Sequence, residues 1–436
     1  MPPDLSLVIP CYNEGEHFRQ SASELLEVLD QLRLEAEVVF VDDCSRDDTR
    51  EQIAEVCARD PRCRAILHER NRGRGAAFKT GFAATTGRVA GFCDIDLEVH
   101  PVYIPMLVAL IDRHGVDVAT GLRYYLLSQT RGLHRAVLSR IYRWVCRWLL
   151  DAGVRDTETG FKMFRREKAG AVVLGSESDG WFWDTEVMTR AALAGLRIQE
   201  FPVLFLRRWD KTSTVRFLPD IWRYLVELQR FRPRVGLGLL DRSPLYWTCI
   251  GYDLVSQLAF GRQARATLAA VADRIPDGAS VVDLCCGTAR LAREFLLRRG
   301  CAYVGIDANG HFVMGTRKRG VTVRLADVTR EPIPSADYVV MCSSLYHFGD
   351  AGVEMIRRMR AAARRAVIVS EPVRNMTALP GGLGAIIARL TNPGTGGDYL
   401  HRHDLASFRA VAEAAGAIEF VHHPGDRDAL AVCPPA

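Results

Sequence analysis

The 436-residue sequence has no run of about 18 uncharged apolar residues, so no membrane-crossing helix is expected. Its twelve cysteines include no Cys-x-x-Cys pair, which denies a structural zinc site its usual ligand spacing. They are dispersed along the chain, and a reducing cytoplasm suits them better than a disulfide framework. Met1-Pro2-Pro3-Asp4 runs straight into an apolar strand, leaving no room for a signal peptide. Low-complexity tracts and internal repeats are missing too. Charge is nearly balanced at a net +5, so no nucleic-acid partner is expected. One absence is local: between Val118 and Leu150 there is no acidic residue, and every fully charged side chain is arginine. That stretch sets up a positive field.

What remains is a globular composition, 48% hydrophobic and 25% charged, long enough for two domains. Leu5-Ser6-Leu7-Val8-Ile9-Pro10 reads as a buried strand stopped by proline and followed by Tyr12-Asn13-Glu14. A helix carrying Leu25, Leu26, Val28 and Leu29 leads to a strand over 36–41 that ends in Asp42-Asp43. A helix over 49–59, a strand over 65–68, the turn Asn71-Arg72-Gly73-Arg74-Gly75 and a helix through Phe78 and Phe82 follow. The next apolar run starts at Val89 and delivers Asp94 and Asp96 at its end. Residues i and i+2 of a strand share a face, so these carboxylates would converge on one hard cation, with a nucleoside diphosphate adding oxygens. An isolated Asp-x-Asp is more often a polar turn. Here, however, strand–helix alternation implies a parallel sheet with helices on both faces, whose ligands bind beyond the carboxyl ends of the strands. Four polar clusters after four successive strands mark a nucleotide site.

The ordered motifs Ile9-Pro10-Cys11-Tyr12-Asn13-Glu14, Val41-Asp42-Asp43, Asn71-Arg72-Gly73-Arg74-Gly75 and Asp94-Ile95-Asp96-Leu97 resemble family 2 inverting glycosyltransferases of the dolichol-phosphate mannose or glucose synthase type. The resemblance covers about residues 4–235. It implies a GT-A fold and sugar transfer from a UDP- or GDP-linked donor. By the same resemblance Pro10, Tyr12, Glu14 and Asp43 would contact the nucleoside, Asp94 would position the nucleotide, and Asp96 would bind Mg2+ or Mn2+. Glu98 stands where that branch often has glutamine and remains a further metal ligand candidate.

Downstream, Gly121-Leu122-Arg123-Tyr124 ends another strand, and a helix over 133–150 carries Val137, Leu138, Ile141 and Val145 on one side and Arg140, Arg143 and Arg147 on another. It is either a packed helix with a solvated basic face or a membrane-facing one, since its arginines with Trp144 and Trp148 suit an anionic interface. The resemblance implies that Arg123, Arg135 and Ser139 grip the phosphate of a polyprenyl-phosphate acceptor, a task suited to the arginine fork. Asp156-Thr157-Glu158-Thr159-Gly160-Phe161-Lys162 is similar to the family motif beside the donor sugar. Gly180-Trp181-Phe182-Trp183-Asp184-Thr185-Glu186 resembles the family's acidic acceptor-side motif, which implies Asp184, or after it Glu186, as the base for a hydroxyl acceptor, unless one of them caps the following helix. Lys211, Ser213 and Arg216 would belong to a loop closing over the diphosphate. The domain boundary falls near residue 235, where Pro233 and Gly236 break a helix.

The remainder reads as a linker and helical lead-in over 236–262, with helices over 246–260 and 262–274, and then a domain over 263–436. Val281-Val282-Asp283-Leu284-Cys285-Cys286-Gly287-Thr288 is a strand entering a tight turn, and Tyr303-Val304-Gly305-Ile306 ends in Asp307, placed to hold ribose hydroxyls. This half resembles a class I S-adenosylmethionine-dependent methyltransferase with a Rossmann-like sheet. The resemblance implies that Asp283 and Gly287 line the methionine end of S-adenosyl-L-methionine, Asp307 the ribose and Asp327 the adenine. His347 is either a base for a hydroxyl acceptor or a structural histidine. The expectation is a bifunctional transferase, cytoplasmic or peripheral at the inner face of the membrane. Its alternative is a glycosyltransferase for a soluble hydroxyl acceptor whose second domain only binds.

Overall fold

The computed structural model describes residues 3–32, 34–125, 150, 153–206, 217–239, 242–374, 384, 387, 389, 391–394, 401–422 and 427–436. The chain divides into two compact units, Met1–Phe231 and Arg232–Ala436.

The first unit is built on a seven-stranded sheet in the order β3-β2-β1-β4-β6-β5-β7. Its strands are β1 (Leu5–Cys11), β2 (Ala36–Asp42), β3 (Cys63–Leu67), β4 (Val89–Cys93), β5 (Val118–Tyr125), β6 (Phe161–Arg165) and β7 (Ile198–Phe205). The first four are parallel, as their spacing with helices α1 (Phe18–Leu32), α2 (Thr49–Arg59) and α3 (Arg74–Ala84) requires. β6 departs from the expected parallel sheet: it runs antiparallel to both β4 and β5. Both faces of the sheet are covered. Leu5, Leu7 and Ile9 of β1 enter one apolar layer with α1, while Val8 enters the other with Phe78 and Phe82 of α3.

That second layer holds an aromatic knot. Phe78 lies 5.0 Å from Phe92, 5.9 Å from Phe164 and 4.7 Å from Trp183, centroid to centroid. Each fully buried aromatic contributes roughly 1.5–3 kcal/mol by leaving water. The knot fixes the start of a helix, α4 (Trp183–Ala194), against the end of β4. Catalytic candidates on the two elements are thereby held at fixed distance.

The second unit repeats the logic with the order β10-β9-β8-β11-β12-β14-β13. Its strands are β8 (Ser280–Leu284), β9 (Ala302–Asp307), β10 (Val323–Leu325), β11 (Ala336–Cys342), β12 (Ala363–Pro372), β13 (Glu419–Val421) and β14 (Asp428–Cys433). β8 to β12 are parallel, and β14 is antiparallel to β12 and β13. The two helices expected over 246–274 are one, α5 (Cys249–Ala272). Gly261, read as a break, lies in its interior. A helical glycine costs about 1 kcal/mol and does not interrupt the hydrogen-bond ladder as proline would. After β8 and its tight turn the chain forms a π turn over Ala292–Leu296 and a short 3-10 turn over Leu297–Arg299. Among the described residues, no helix is long and apolar enough to cross a membrane.

Candidate functional site

Three polar loops meet at the carboxyl ends of β1, β2 and β3. Asn13 donates its amide to Ser45 Oγ at 2.9 Å and accepts the Arg46 amide at 2.8 Å, and the Glu14 amide reaches Thr49 Oγ1 at 2.7 Å. Pro10, Tyr12 and Glu14 are half-buried along this edge. Asp43 is turned inward: it accepts the amides of Arg72 and Gly73 at 2.8 and 2.7 Å and pairs with His68 Nδ1 at 2.7 Å. Its carboxylate shapes the loop 71–73: Oδ1 takes both His68 and the Arg72 amide, and Oδ2, holding only the Gly73 amide, keeps a lone pair for a ligand.

β4 stops at Cys93, and Asp94–Leu97 forms a turn closed by the Leu97 amide on the Asp94 carbonyl at 3.2 Å. Asp94 and Asp96 therefore share an open side through turn geometry rather than strand pleat. Burial alternates along the segment: Ile95, Leu97 and Val99 enter the core, while Asp94, Asp96 and Glu98 stay half-buried. The Glu98 amide donates to Asp96 Oδ1 at 3.2 Å. Among the described residues no group of three carboxylate, histidine or cysteine side chains forms a ready metal cage. Asp96, with Glu98, suits a cation that takes its other oxygens from a bound diphosphate.

Behind the turn runs a chain of charges. Arg74 Nη2 bridges Asp94 Oδ2 at 3.2 Å and Asp184 Oδ2 at 3.4 Å, with its guanidinium over the rings of Phe92 and Trp181. Lys162 is fully buried, with Nζ 2.5 Å from Asp184 Oδ1 and donating to the Thr159 carbonyl. Asp184, the first choice for a base, is only 2% exposed, and both its oxygens are engaged. Glu186 is likewise occupied by the amides of Glu177 and Ser178 and by Arg190 Nε. Neither carboxylate caps α4, which has no side-chain cap. Burial in the cleft raises the Asp94 pKa to about 7, with Arg74 opposing the rise and Asp96 and Asp184 adding to it. Gly160 is required here, since a Cβ would sit 1.6 Å from Asp94 Oδ2.

Arg123 ends in a two-pronged ion pair, with Nε and Nη2 at 2.6 and 2.8 Å from the two oxygens of buried Asp156. Glu158 Oε2 lies 3.9 Å from Arg123 Nη2, and about a third of its side chain is exposed. Desolvation raises the Glu158 pKa to about 7, against the pull of Arg123 and with the push of Asp156 and Asp184. Arg135, Ser139 and Lys211 lie outside the described residues, as do Ser213, Arg216 and the expected basic helix before Leu150. Sequence reasoning placed Asp156, Glu158 and Lys162 in a motif beside the donor sugar and Arg74 in a nucleotide-site turn, but gave none of them an individual role. Acid–base alternation within 156–162 and the arginine between two glycines were the available signals.

In the second unit Gly287 adopts φ +55° after β8, with open space where a Cβ would be, and donates its amide to Asp307 Oδ2 at 2.7 Å. Asp307 Oδ1 accepts the Asn309 amide at 2.7 Å. Asp283 is buried, with Oδ2 bound to the Tyr303 hydroxyl at 2.7 Å and Oδ1 accepting nothing. Burial pushes its pKa to about 7. An ammonium group is the kind of donor this bare oxygen lacks, which fits the amino-acid end of S-adenosylmethionine. Asp327 is half-exposed and accepts the amide and hydroxyl of Thr329 at 2.9 and 2.6 Å. His347 is pushed down to about 4 by burial and by Arg402, which makes it a poor base.

Known proteins agree with this division. The Glycosyl transferase family 2 pattern matches residues 6–172, and a Methyltransferase domain pattern matches residues 281–366. Glycosyltransferase AglD of Haloferax volcanii is 34% identical over 217 residues, covering 49% of this chain and 35% of that protein. The chain thus spans about a third of that relative's length. The human dolichyl-phosphate beta-glucosyltransferase is 27% identical over 236 residues, covering 51% of this chain and 71% of its own. Glucosyl-3-phosphoglycerate synthase of Mycobacterium tuberculosis, solved with Mn2+, UDP and glucosyl-3-phosphoglycerate, is 19% identical with a TM-score of 0.42, covering 55% of this chain and 83% of that one. So low a score adds no weight.

Proposed function

From a chain whose first unit belongs to glycosyl transferase family 2, with the GT-A fold, and whose second carries a methyltransferase domain, we propose a bifunctional protein with two separate transferase sites. Its domains are 1–235 and 263–436, joined by 236–262. The first site moves a sugar, with inversion, from a UDP- or GDP-linked donor to the phosphate of a polyprenyl phosphate. The observation that carries it is the row Asp94, Asp96 and Glu98, half-buried beyond the end of β4 while Ile95, Leu97 and Val99 anchor it in the core. Asp96 and Glu98 would hold a divalent ion there, which would supply positive charge against the leaving diphosphate. Pro10, Tyr12, Glu14 and Asp43 hold the nucleoside, Lys211 the diphosphate, and Arg123, Arg135 and Ser139 the acceptor phosphate.

The dolichyl-phosphate relative supports a lipid-phosphate acceptor, an anion that needs no base to attack the anomeric carbon. Such an acceptor draws the protein to the inner face of a membrane, where the arginine-rich stretch 118–150 meets anionic headgroups. In the second site Asp283, Gly287, Asp307 and Asp327 would hold S-adenosyl-L-methionine, which would supply a methyl group.

Glu158 favours a second reading, transfer to a neutral hydroxyl. It is accessible, has a pKa raised to about 7 and lies beside Arg123, so it, rather than the enclosed Asp184, would be the base. Steady-state kinetics on Glu158→Gln and Arg123→Lys separate the two. Retained kcat in Glu158→Gln with a raised acceptor KM in Arg123→Lys supports the phosphate acceptor. Loss of kcat in Glu158→Gln refutes it. Melting temperatures with UDP- and GDP-sugars and Mn2+ identify the donor.

A further inference from the structure

β12 ends with a carboxylate that the methyl-donor site does not use. Glu371 is 1% exposed, and its Oε2 accepts the Leu345 amide at 3.0 Å while Oε1 accepts no hydrogen bond. A bare acceptor oxygen in a protein interior is costly unless a ligand completes it. Its position is informative. In the register of the sheet Cys342, the last residue of β11, pairs with Ser370, so Glu371 stands at the carboxyl end of the strand beside β11. β8, which leads into Cys285 and Gly287, flanks β11 on the other side. Ligands of such sheets bind beyond these strand ends.

The groups within electrostatic reach of Glu371 come from every neighbouring element: Cys285 after β8, Cys342 and Tyr346 from and after β11, Asp428 of β14, and Arg402. The Arg402 guanidinium lies 3.9 Å over the Tyr346 ring. Burial pushes the Glu371 pKa up to about 8, with the amides of Leu345 and Tyr346 and the Arg402 charge opposing it. His347, two residues after Leu345, is too weak a base to compete.

We propose that Glu371 is the general base of the methyl-acceptor site, and that the acceptor is a neutral hydroxyl group bound against its unpaired Oε1. The nearby Arg402 disfavours a cationic amine in the same place. In the step, the hydroxyl proton passes to Oε1, the freed oxygen pair forms the new O–CH3 bond, and the C–S bond of S-adenosylmethionine breaks. Its electron pair stays on sulfur, so a sulfonium becomes a thioether as a carboxylate becomes a carboxylic acid. Atoms and charge balance without a further reactant. The inference rests on the reading of the second unit as an S-adenosylmethionine-dependent methyltransferase.

The test compares S-adenosylmethionine with S-adenosylhomocysteine, which differ at sulfur by one methyl group and one positive charge. The full-length protein is labelled with [5-13C]glutamate, and the Glu371 carboxyl resonance is identified by its loss in Glu371→Asp, with Glu371→Gln as a second variant. Binding of both cofactors is measured by calorimetry on the same samples. The resonance is expected to titrate near pH 8 in the free protein. Saturating S-adenosylmethionine should lower that midpoint by about one pH unit or more, because a cation facing the carboxylate favours its charged form. S-adenosylhomocysteine should leave it nearly unchanged. If S-adenosylmethionine binds and the midpoint is the same with both ligands, Glu371 does not face the methyl group and the proposal fails. A free-protein midpoint below 5 also overturns it, since such a carboxylate is too weak a base. If neither cofactor binds at millimolar concentration, the methyltransferase reading itself fails and takes the proposal with it.

Discussion

Replacing Lys162 by methionine removes one member of the most enclosed ion pair near the sugar-transfer site while nearly preserving side-chain volume. Lys162 Nζ is 2.5 Å from Asp184 Oδ1, and both residues are buried. Removing one partner of a buried pair costs about 3–5 kcal/mol, chiefly because the other charge is stranded. Asp184 would keep Arg74, 3.4 Å from its second oxygen, so the lower end of that range, about 3 kcal/mol, is expected. For a unit of this size, that is a fall in melting temperature of roughly 6–12 °C. Six of the seven tryptophans, at 144, 148, 181, 183, 209 and 222, lie in the first unit, so tryptophan fluorescence in urea reports mainly on its unfolding. The double variant Lys162→Met/Asp184→Leu removes both charges and should be more stable than Lys162→Met alone. A loss below about 1 kcal/mol for Lys162→Met, or a double variant less stable than the single, would refute the stranded-charge argument.

Asp96→Ala should abolish sugar transfer and leave S-adenosylmethionine affinity unchanged by calorimetry; loss of both would contradict two separate sites. Gly160→Ala should act on the donor site rather than the fold, since its Cβ meets the ends of two side chains of that site, the Asp94 carboxylate and Arg74 Nη2, and no backbone atom among its nearest neighbours. Nucleotide-sugar affinity with Mn2+ should fall tenfold or more while stability changes by no more than about 1 kcal/mol. Glu371 gives a pH signature of definite sign. Its folded pKa of about 8 lies above an unfolded value near 4.3, so its stabilising proton is fully held below the latter and lost as pH rises through the former. Stability of the second unit should therefore decline from about pH 4.5 to 8, and Glu371→Gln should flatten that slope and exceed the wild type at pH 8.5 in urea titrations. An unchanged slope would mean that Glu371 titrates normally.

The parallel half of the first sheet was legible because each of β1 to β4 is a short apolar run that ends in a polar cluster, a signal contained in a few adjacent residues. β6 was not. Phe161–Arg165 gives no local sign of its antiparallel direction, which is set by pairing with β4 and β5 across long loops. Site residues divide in the same way. Asp94 and Asp96 were read as candidates from their place in the last of four successive strand-end clusters, since their spacing alone suggests a polar turn. The Lys162–Asp184–Arg74 chain joins residues 22 and 110 positions apart, brought together by the β4–β6 pairing, by the Gly75 and Ala76 amides on the Asp179 carbonyl and by the aromatic knot. Asp184 was read as a base because the stretch 180–186 resembles the acidic acceptor-side motif of the family. Its enclosure depends on Lys162, which no pattern near 184 discloses. Gly261 misled in the opposite sense, since glycine suggests a break that α5 does not contain.

The alternation along 94–99 has a kinetic consequence. Ligand-binding loops are generally drawn from the least stable parts of a fold and open independently of it. Here Ile95, Leu97 and Val99 belong to the same apolar layer as β1 and α1, so this segment cannot detach without opening that layer. Its amides should exchange with solvent nearly as slowly as those of β1. The carboxylates are then in place before any donor arrives, and nucleotide-sugar capture requires no ordering of this arm.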